Sequence, residues 1–435
     1  MRALPRLLLV LAVLAAAAFG WFDVRERART DRGAKSHRTD FTVYTAAAVA
    51  LDAGTDPYDA RSPRGWRYVY PPLLAMSLRP LTHLASEDAA LVWYAVSVVA
   101  LGLALVLTAR AIGRPTGPAS VAVAFAVCVL FVGQTLQRGQ VTTILLAIQV
   151  GALALLAARR EFLAGVVLAL GVALRLTPLL PAGLVGIACL RRLFRGDGWR
   201  AMKFPAGFVG GVVLWFAVVP ACLVGPTRAL DVTKRWVEVG REVYAAEPGA
   251  LADLAGDYGI EEHIFKNQGV RRVVGAFVGW GTCAPFEGDR PVLGDHWATV
   301  DRLAFWVALA VGALALVVGW RSFGDPSSPT SRLVYGAACL APVLVTRYAW
   351  PVHYVVAIPF VAEAYAVTGG RRPRRAFWCF VAGVVLFALG YLGKADLLRL
   401  PARAGVLLLA TALAMALALR GRRADGLLPA PGSPS

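Results

Sequence analysis

Few residues in this chain could carry covalent chemistry, and what is missing narrows the choice first. There is no GxxxxGK[ST] phosphate loop, no GxGxxG after a strand and no HExxH or other tight metal cluster. No D-x-D pair of the kind that holds a metal on a sugar nucleotide occurs either. The expectation is therefore no metal, no cofactor and no ATP-fuelled pump. One carboxylate stands out. Asp40 opens a helical pattern over residues 39–53, directly after the first apolar segment. Its surroundings, residues 39–80, are the only part of the amino-terminal third that holds acidic, aromatic and proline residues together. A carboxylate placed there can take a proton from a hydroxyl nucleophile. Asp is also a preferred N-cap, so at this point cap and base both stand.

Two cations complement it. Arg175 and Arg347 each fall between apolar segments, where an unpaired guanidinium is costly. Snorkelling to headgroups accounts for either one alone. A shared phosphate ligand accounts for both, because the planar fork of donors matches phosphate oxygens. His353 reads as a satisfied helix histidine or as a further site group. The tyrosines and Trp66 read as an interfacial belt or as a platform for a sugar ring.

The elements that must position these residues are membrane helices. Apolar residues make up 58% of 435 positions and mean hydropathy is +0.60. That composition predicts an all-α integral membrane protein. The net charge of +18 would suggest nucleic acid in a soluble chain. Here the basic residues gather in short loops between apolar runs, where they orient a protein in a bilayer, and no nucleic-acid motif is present. The six cysteines show no CxxC spacing, and five read as small residues in or at the ends of apolar runs.

Residues 1–22 form the first span, read as a retained anchor although Ala15–Ala18 resembles a signal-peptide cleavage site. Residues 23–87 form an outer loop, in which 72–84 is apolar but too short to span and reads as an interfacial helix. Residues 88–224 hold further spans, including candidates at 119–134 and 141–158. Residues 162–190 are interrupted by Arg175-Leu-Thr-Pro178 and flanked by Arg159, Arg160, Arg191 and Arg192. That pattern predicts two short spans meeting at Arg175, the kind of broken segment that lines a cavity. A second outer loop covers 225–298, and 299–420 hold the last spans, one of them at 350–367. The tail 421–435 reads as a disordered cytoplasmic end. The total is about twelve crossings with both termini inside and two large extracytoplasmic loops, which places Asp40 outside.

Several stretches, in this order, carry a family resemblance: DFTVYTAAAVALDAGTDPYD (40–59), YVYPPL (68–73), RGQVTTILL (138–146), AGVVLALGVALRLTPLL (164–180), KNQGVRRV (266–273) and TRYAWPVHY (346–354). The chain resembles glycosyltransferase family 87, the polyprenol-phosphate-mannose-dependent mannosyltransferases of the GT-C superfamily. Arg175 stands where the family usually has Lys, and Gly269 where it commonly has Ser. The family's double-histidine signature is reduced to Thr346, Trp350 and the single His353.

The resemblance implies a GT-C helical bundle in the plasma membrane with an extracytoplasmic active site. It implies an inverting transferase that moves a sugar, mannose in most of the family, from a polyprenyl-phosphate donor to a lipid-linked or cell-envelope glycan. Asp40 matches the family's catalytic aspartate. Arg175, Arg347, Arg138 and Lys266 become the candidates for the donor phosphate. Tyr44, Tyr70, Gln140, Asn267, Gln268, Trp350 and His353 become the candidates for substrate contact. A different class, a transporter or flippase of a lipid-linked anion, would use the break at 175–178 as its site. Its ionisable residues would more often lie at mid-span than at one face.

Overall fold

Apolar sequence divided by proline, glycine and arginine must satisfy its peptide groups internally, and it does so here almost entirely as helix. The computed structural model describes residues 14–29, 39–113, 115–245, 270–281, 286–287, 290–291, 296–345, 350–366, 371–392 and 405–420. Among the described residues, the regular elements are helical apart from the two-residue strands β1 (Phe286–Glu287) and β2 (Arg290–Pro291).

The amino-terminal region holds α1 (Phe41–Asp52) and α2 (Pro72–Leu78). The bundle follows with α3 (Ser86–Ile112), α4 (Thr116–Val127), α5 (Val129–Gln137) and α6 (Thr142–Ala157). Next come α7 (Glu161–Leu174), α8 (Leu179–Phe194) and α9 (Lys203–Val213), the last continuing through a π turn into Val219–Val224. Then come α10 (Pro226–Ala245), α11 (Val270–Gly281), α12 (Trp297–Ser322) and α13 (Pro329–Val345). A 3-10 turn, Pro351–Ala357, leads into α14 (Ile358–Ala366), and α15 (Arg371–Leu392) and α16 (Val406–Arg420) complete the set.

Three described helices, Ser86–Ile112, Gly198–Val224 and Ala298–Ser322, are each long and apolar enough to cross a bilayer. The pair α4 and α5 adds a fourth if its halves form one span. Val99, Val209, Phe305 and Trp306 are exposed on these helices, a run of apolar surface that suits lipid and not water. The expected total of about twelve crossings counts shorter helices such as α6 and α7 as spans.

Two helices expected to be continuous are broken. The span expected at 119–134 bends by 66° at Cys128, where no proline stands. Packing explains the bend: α4 lies on α14, while α5 lies on the 3-10 turn Pro351–Ala357, so two halves follow a broken partner. That partner is itself interrupted by Pro359, which lacks an N–H and crowds the carbonyl four residues earlier.

Within the segment 72–84 expected to lie along the interface, the first half, α2, is enclosed by protein, whereas Pro80, His83 and Leu84 are exposed. Every residue of α2 except Ser77 is buried. It packs against α1, α7, Val219–Val224 and α10, so α10 forms a roof over it. Arg79 fastens this roof, bonding to Asp52 and to the Leu223 carbonyl. On α10, Arg235 reaches Asp56 at 2.9 Å, Glu242 at 3.1 Å and Asp59 at 3.4 Å.

The hairpin of α7 and α8 sets the depth of the site. Arg192 near the end of α8 donates to Glu161 at the start of α7, 2.8 Å away, so the two far ends meet and Arg175 sits at the opposite tip. Arg191 bonds the Trp320 and Phe323 carbonyls at that same end. α7 lies close against α9 because Gly207 carries no side chain; a Cβ there would stand 2.0 Å from the Phe162 carbonyl oxygen. A buried fork from Arg332 to Glu363, 2.9 and 3.1 Å, ties α13 to α14.

Breaking that pair by Glu363→Leu leaves a buried guanidinium without its carboxylate and should cost about 3–5 kcal/mol. Thermal inactivation in detergent would read this as a lower midpoint, and the double variant with Arg332→Leu should recover most of the loss. A single variant as stable as the parent would show that the pair is dispensable.

Candidate functional site

The turn before α1 decides what Asp40 can do. Asp40 occupies the N-cap position, yet its side chain makes no capping bond. Thr39 caps in its place: the Phe41 N–H donates to Thr39 Oγ1 at 3.3 Å. The Thr39 hydroxyl in turn donates to the Arg138 carbonyl at 3.1 Å, and the Asp40 N–H donates to that same carbonyl at 2.9 Å. The carboxylate is thereby released from the helix end. It is 8% exposed, and its Oδ2 accepts from Gln140 Nε2 at 2.6 Å. Among the described residues Oδ1 accepts no hydrogen bond.

The partner strand of chain, Arg138–Gly139–Gln140, fits only because of its middle residue. Gly139 has φ +65, and a Cβ there would stand 2.8 Å from Phe41 Cβ. Its carbonyl accepts the Trp93 indole N–H at 2.7 Å. Trp93 also stacks on Phe41, centroids 5.7 Å apart, and meets Tyr44 edge-on at 6.4 Å. Trp93 and Thr39 were not singled out in the sequence. Trp93 lies inside an apolar helix where nothing in the spacing marks it, and Thr39 is overshadowed by the carboxylate beside it.

Tyr44, one turn along α1, is fully buried and donates to Gln140 Oε1 at 3.2 Å. Tyr70 meets Tyr44 edge-on at 5.1 Å, and the Arg175 guanidinium lies over the Tyr70 ring at 5.5 Å. Two further tyrosines hold Tyr70 in place. Tyr58 donates to the Tyr70 carbonyl at 3.1 Å, and Tyr68 donates to the Pro71 carbonyl at 2.6 Å while accepting from the Ala75 N–H. Burial pushes the Tyr44, Tyr58 and Tyr68 phenols well above their ordinary range. On Tyr44 the Tyr70 hydroxyl and the Asp40 carboxylate add to that rise, and Arg175 opposes it. Asp40 and Arg175 thus act on one hydroxyl in opposite senses.

Arg175 itself sits in the break between α7 and α8 with an extended backbone, φ −165 and ψ 140. Its Nη2 lies 2.8 Å from His353 Nε2. A guanidinium only donates, so Nε2 is the acceptor in this contact. His353 is set by the 3-10 turn, where Thr135 of α5 donates to the Val352 carbonyl at 2.8 Å.

Six of the expected site residues therefore form one connected group: Asp40, Tyr44, Tyr70, Gln140, Arg175 and His353. Trp350 stands half-buried just before the 3-10 turn, and its carbonyl accepts the His353 N–H at 2.9 Å. Arg138 enters through its carbonyl; its guanidinium makes no ion pair among the described residues. Lys266, Asn267, Gln268 and Arg347 lie outside the described residues. Chemically, the group offers a carboxylate with one oxygen open, an aromatic floor, and a cation with donors to spare for an anion. No three His, Cys, Asp or Glu side chains converge as metal ligands among the described residues.

A family model described as glycosyltransferase family 87 matches residues 68–346. No curated protein matches the chain. Among solved structures, ArnT from Cupriavidus metallidurans in the apo state is 15% identical, with 96% of this chain and 77% of that chain covered and a TM-score of 0.44. The same protein bound to undecaprenyl phosphate is 14% identical, covering 94% of this chain and 76% of that one, with a TM-score of 0.35. Both alignments are too loose to transfer a residue.

Gly139→Ala should cost at least about 1–2 kcal/mol from the left-handed backbone alone, before Phe41 is displaced. Thermal inactivation midpoints of the purified protein would measure it. An unchanged midpoint would mean that the turn accepts a Cβ.

Proposed function

The chain belongs to glycosyltransferase family 87, and on that premise we propose an inverting membrane transferase that moves a sugar from a polyprenyl-phosphate donor to a lipid-linked or cell-envelope glycan. The sugar is mannose, and the reaction takes place on the extracytoplasmic face of the plasma membrane. One observation carries the reading: the Asp40 carboxylate is withdrawn from helix capping and held with one oxygen open, in a group that ends in Arg175.

An acceptor hydroxyl meets Asp40 Oδ1, which takes its proton as the oxygen attacks the anomeric carbon. The bond from that carbon to the donor phosphate oxygen breaks, and its electron pair leaves on the polyprenyl phosphate. Attack from the face opposite the leaving group inverts the centre, through an oxocarbenium-like transition state. A phosphate monoester needs positive charge as it departs, and Arg175 supplies it, with Arg138, Lys266 and Arg347 as further cations. His353 orients Arg175 from behind. Tyr70 and Trp350 offer ring faces to the sugar, and Asn267 and Gln268 offer hydrogen bonds.

The decisive variant is Asp40→Asn, which preserves shape and removes the base. Transfer of label from a panel of polyprenyl-phosphate sugars in membranes should fall at least about a hundredfold, with the amount of inserted protein unchanged. Undiminished transfer would overturn the reading. Arg175→Gln should raise the KM for donor more than that for acceptor, and an unaltered donor response would remove Arg175 from the phosphate site.

A further inference from the structure

Family resemblance groups Gln140 with the substrate-contacting residues, but its surroundings leave little of it for a substrate. The side chain is 6% exposed and both of its ends are engaged. Oε1 accepts from the buried Tyr44 hydroxyl at 3.2 Å, and Nε2 donates to Asp40 Oδ2 at 2.6 Å. A glutamine amide can rotate by half a turn and exchange its two ends. Asp40 removes that freedom, because a carboxylate only accepts and so draws the amide N–H groups to its side. The Tyr44 hydroxyl, which can donate or accept, then donates to the amide oxygen left facing it. Rotated the other way, the amide would set an oxygen against Asp40 and lose that bond.

The same three-residue turn also holds Asp40 from behind, since the Arg138 carbonyl accepts the Asp40 N–H. Backbone and carboxylate are therefore gripped by one turn whose shape Gly139 permits. We infer that Gln140, anchored at its far end by Tyr44, is a positioning residue that fixes which oxygen of Asp40 faces the incoming hydroxyl. The inference rests on the proposed role of Asp40 as the base. Gln140 acts through that carboxylate and has no direct part in sugar recognition. A misplaced base is costly: an error of about an ångström in reacting geometry can cost about a hundredfold in rate.

The test is a kinetic series in membranes with the polyprenyl-phosphate sugar that the parent protein uses. Gln140→Leu should lower kcat about ten- to a hundredfold while donor and acceptor KM stay within about threefold. Adding Tyr44→Phe to Gln140→Leu should lower kcat no further, because both side chains act through one chain of bonds. Gln140→Glu is nearly isosteric and keeps the series informative if the leucine variant fails to insert. It sets a second carboxyl against Asp40, and such a pair retains a shared proton to higher pH. The acidic limb of its rate profile should therefore move upward by at least about one pH unit, which a merely space-filling glutamine would not produce.

A raised acceptor KM at unchanged kcat in Gln140→Leu would make Gln140 a substrate contact and overturn the inference. So would parental kinetics in Gln140→Leu, or an unmoved pH profile in Gln140→Glu. Asp40→Asn separates the two levels. If that variant is inactive while the Gln140 variants behave as the parent, only the positioning role falls; if it is fully active, the proposed reaction falls with it.

Discussion

One carbonyl oxygen, that of Arg138, organises the Asp40 end of this protein. It receives the Thr39 hydroxyl and the Asp40 N–H, joining stretches about a hundred positions apart in sequence. Because Thr39 takes over the capping of α1, the neighbouring carboxylate is not consumed by the helix. Because Gly139 adopts a left-handed backbone, Phe41 and Trp93 close against the turn without a clash. Removing a water-exposed polar group from such a place would be cheap. Removing this one would leave two donors buried in an apolar cluster, which is why the aromatic floor and the acidic group stand or fall together.

The bundle serves this arrangement by keeping its charges at two separate levels. Arg191, Arg192, Glu161, Arg332 and Glu363 are engaged at one end, where they tie helix ends to one another. Arg175 and His353 stand at the other end, at the break of the α7–α8 hairpin and on the 3-10 turn before α14. Between the levels, apolar side chains dominate the contacts, with isolated polar ones such as Tyr335 donating to the Gln149 carbonyl. Two proline-interrupted segments thus present their broken ends to one side, where polar groups find partners that the middle of a membrane could not supply.

Much of this was legible in the sequence. The interruption at Arg175-Leu-Thr-Pro178 marks the gap between α7 and α8, since proline and an intramembrane arginine have few other uses. Asp40 is marked by its place at the first residue of a helical pattern. The rest depends on packing over long separations. Thr39 as the cap, Trp93 as a hydrogen-bond donor and the bend at Cys128 all follow from partners that sit far away along the chain. The stretch 72–78 shows the same limit: its apolar composition suits a lipid surface or a protein interior equally, and its burial comes from α1, α7 and α10 packing around it.

The roof formed by α10 has one more implication. Arg235 holds it through carboxylates at or near the surface, whereas the Arg332–Glu363 fork is largely buried. Counter-ions screen the first within a Debye length of about 8 Å at physiological strength and scarcely reach the second. Brine should therefore loosen the cover over α2 and the tyrosine cluster while the spanning bundle keeps its hold, so ionic strength acts on one storey of the molecule and spares the other.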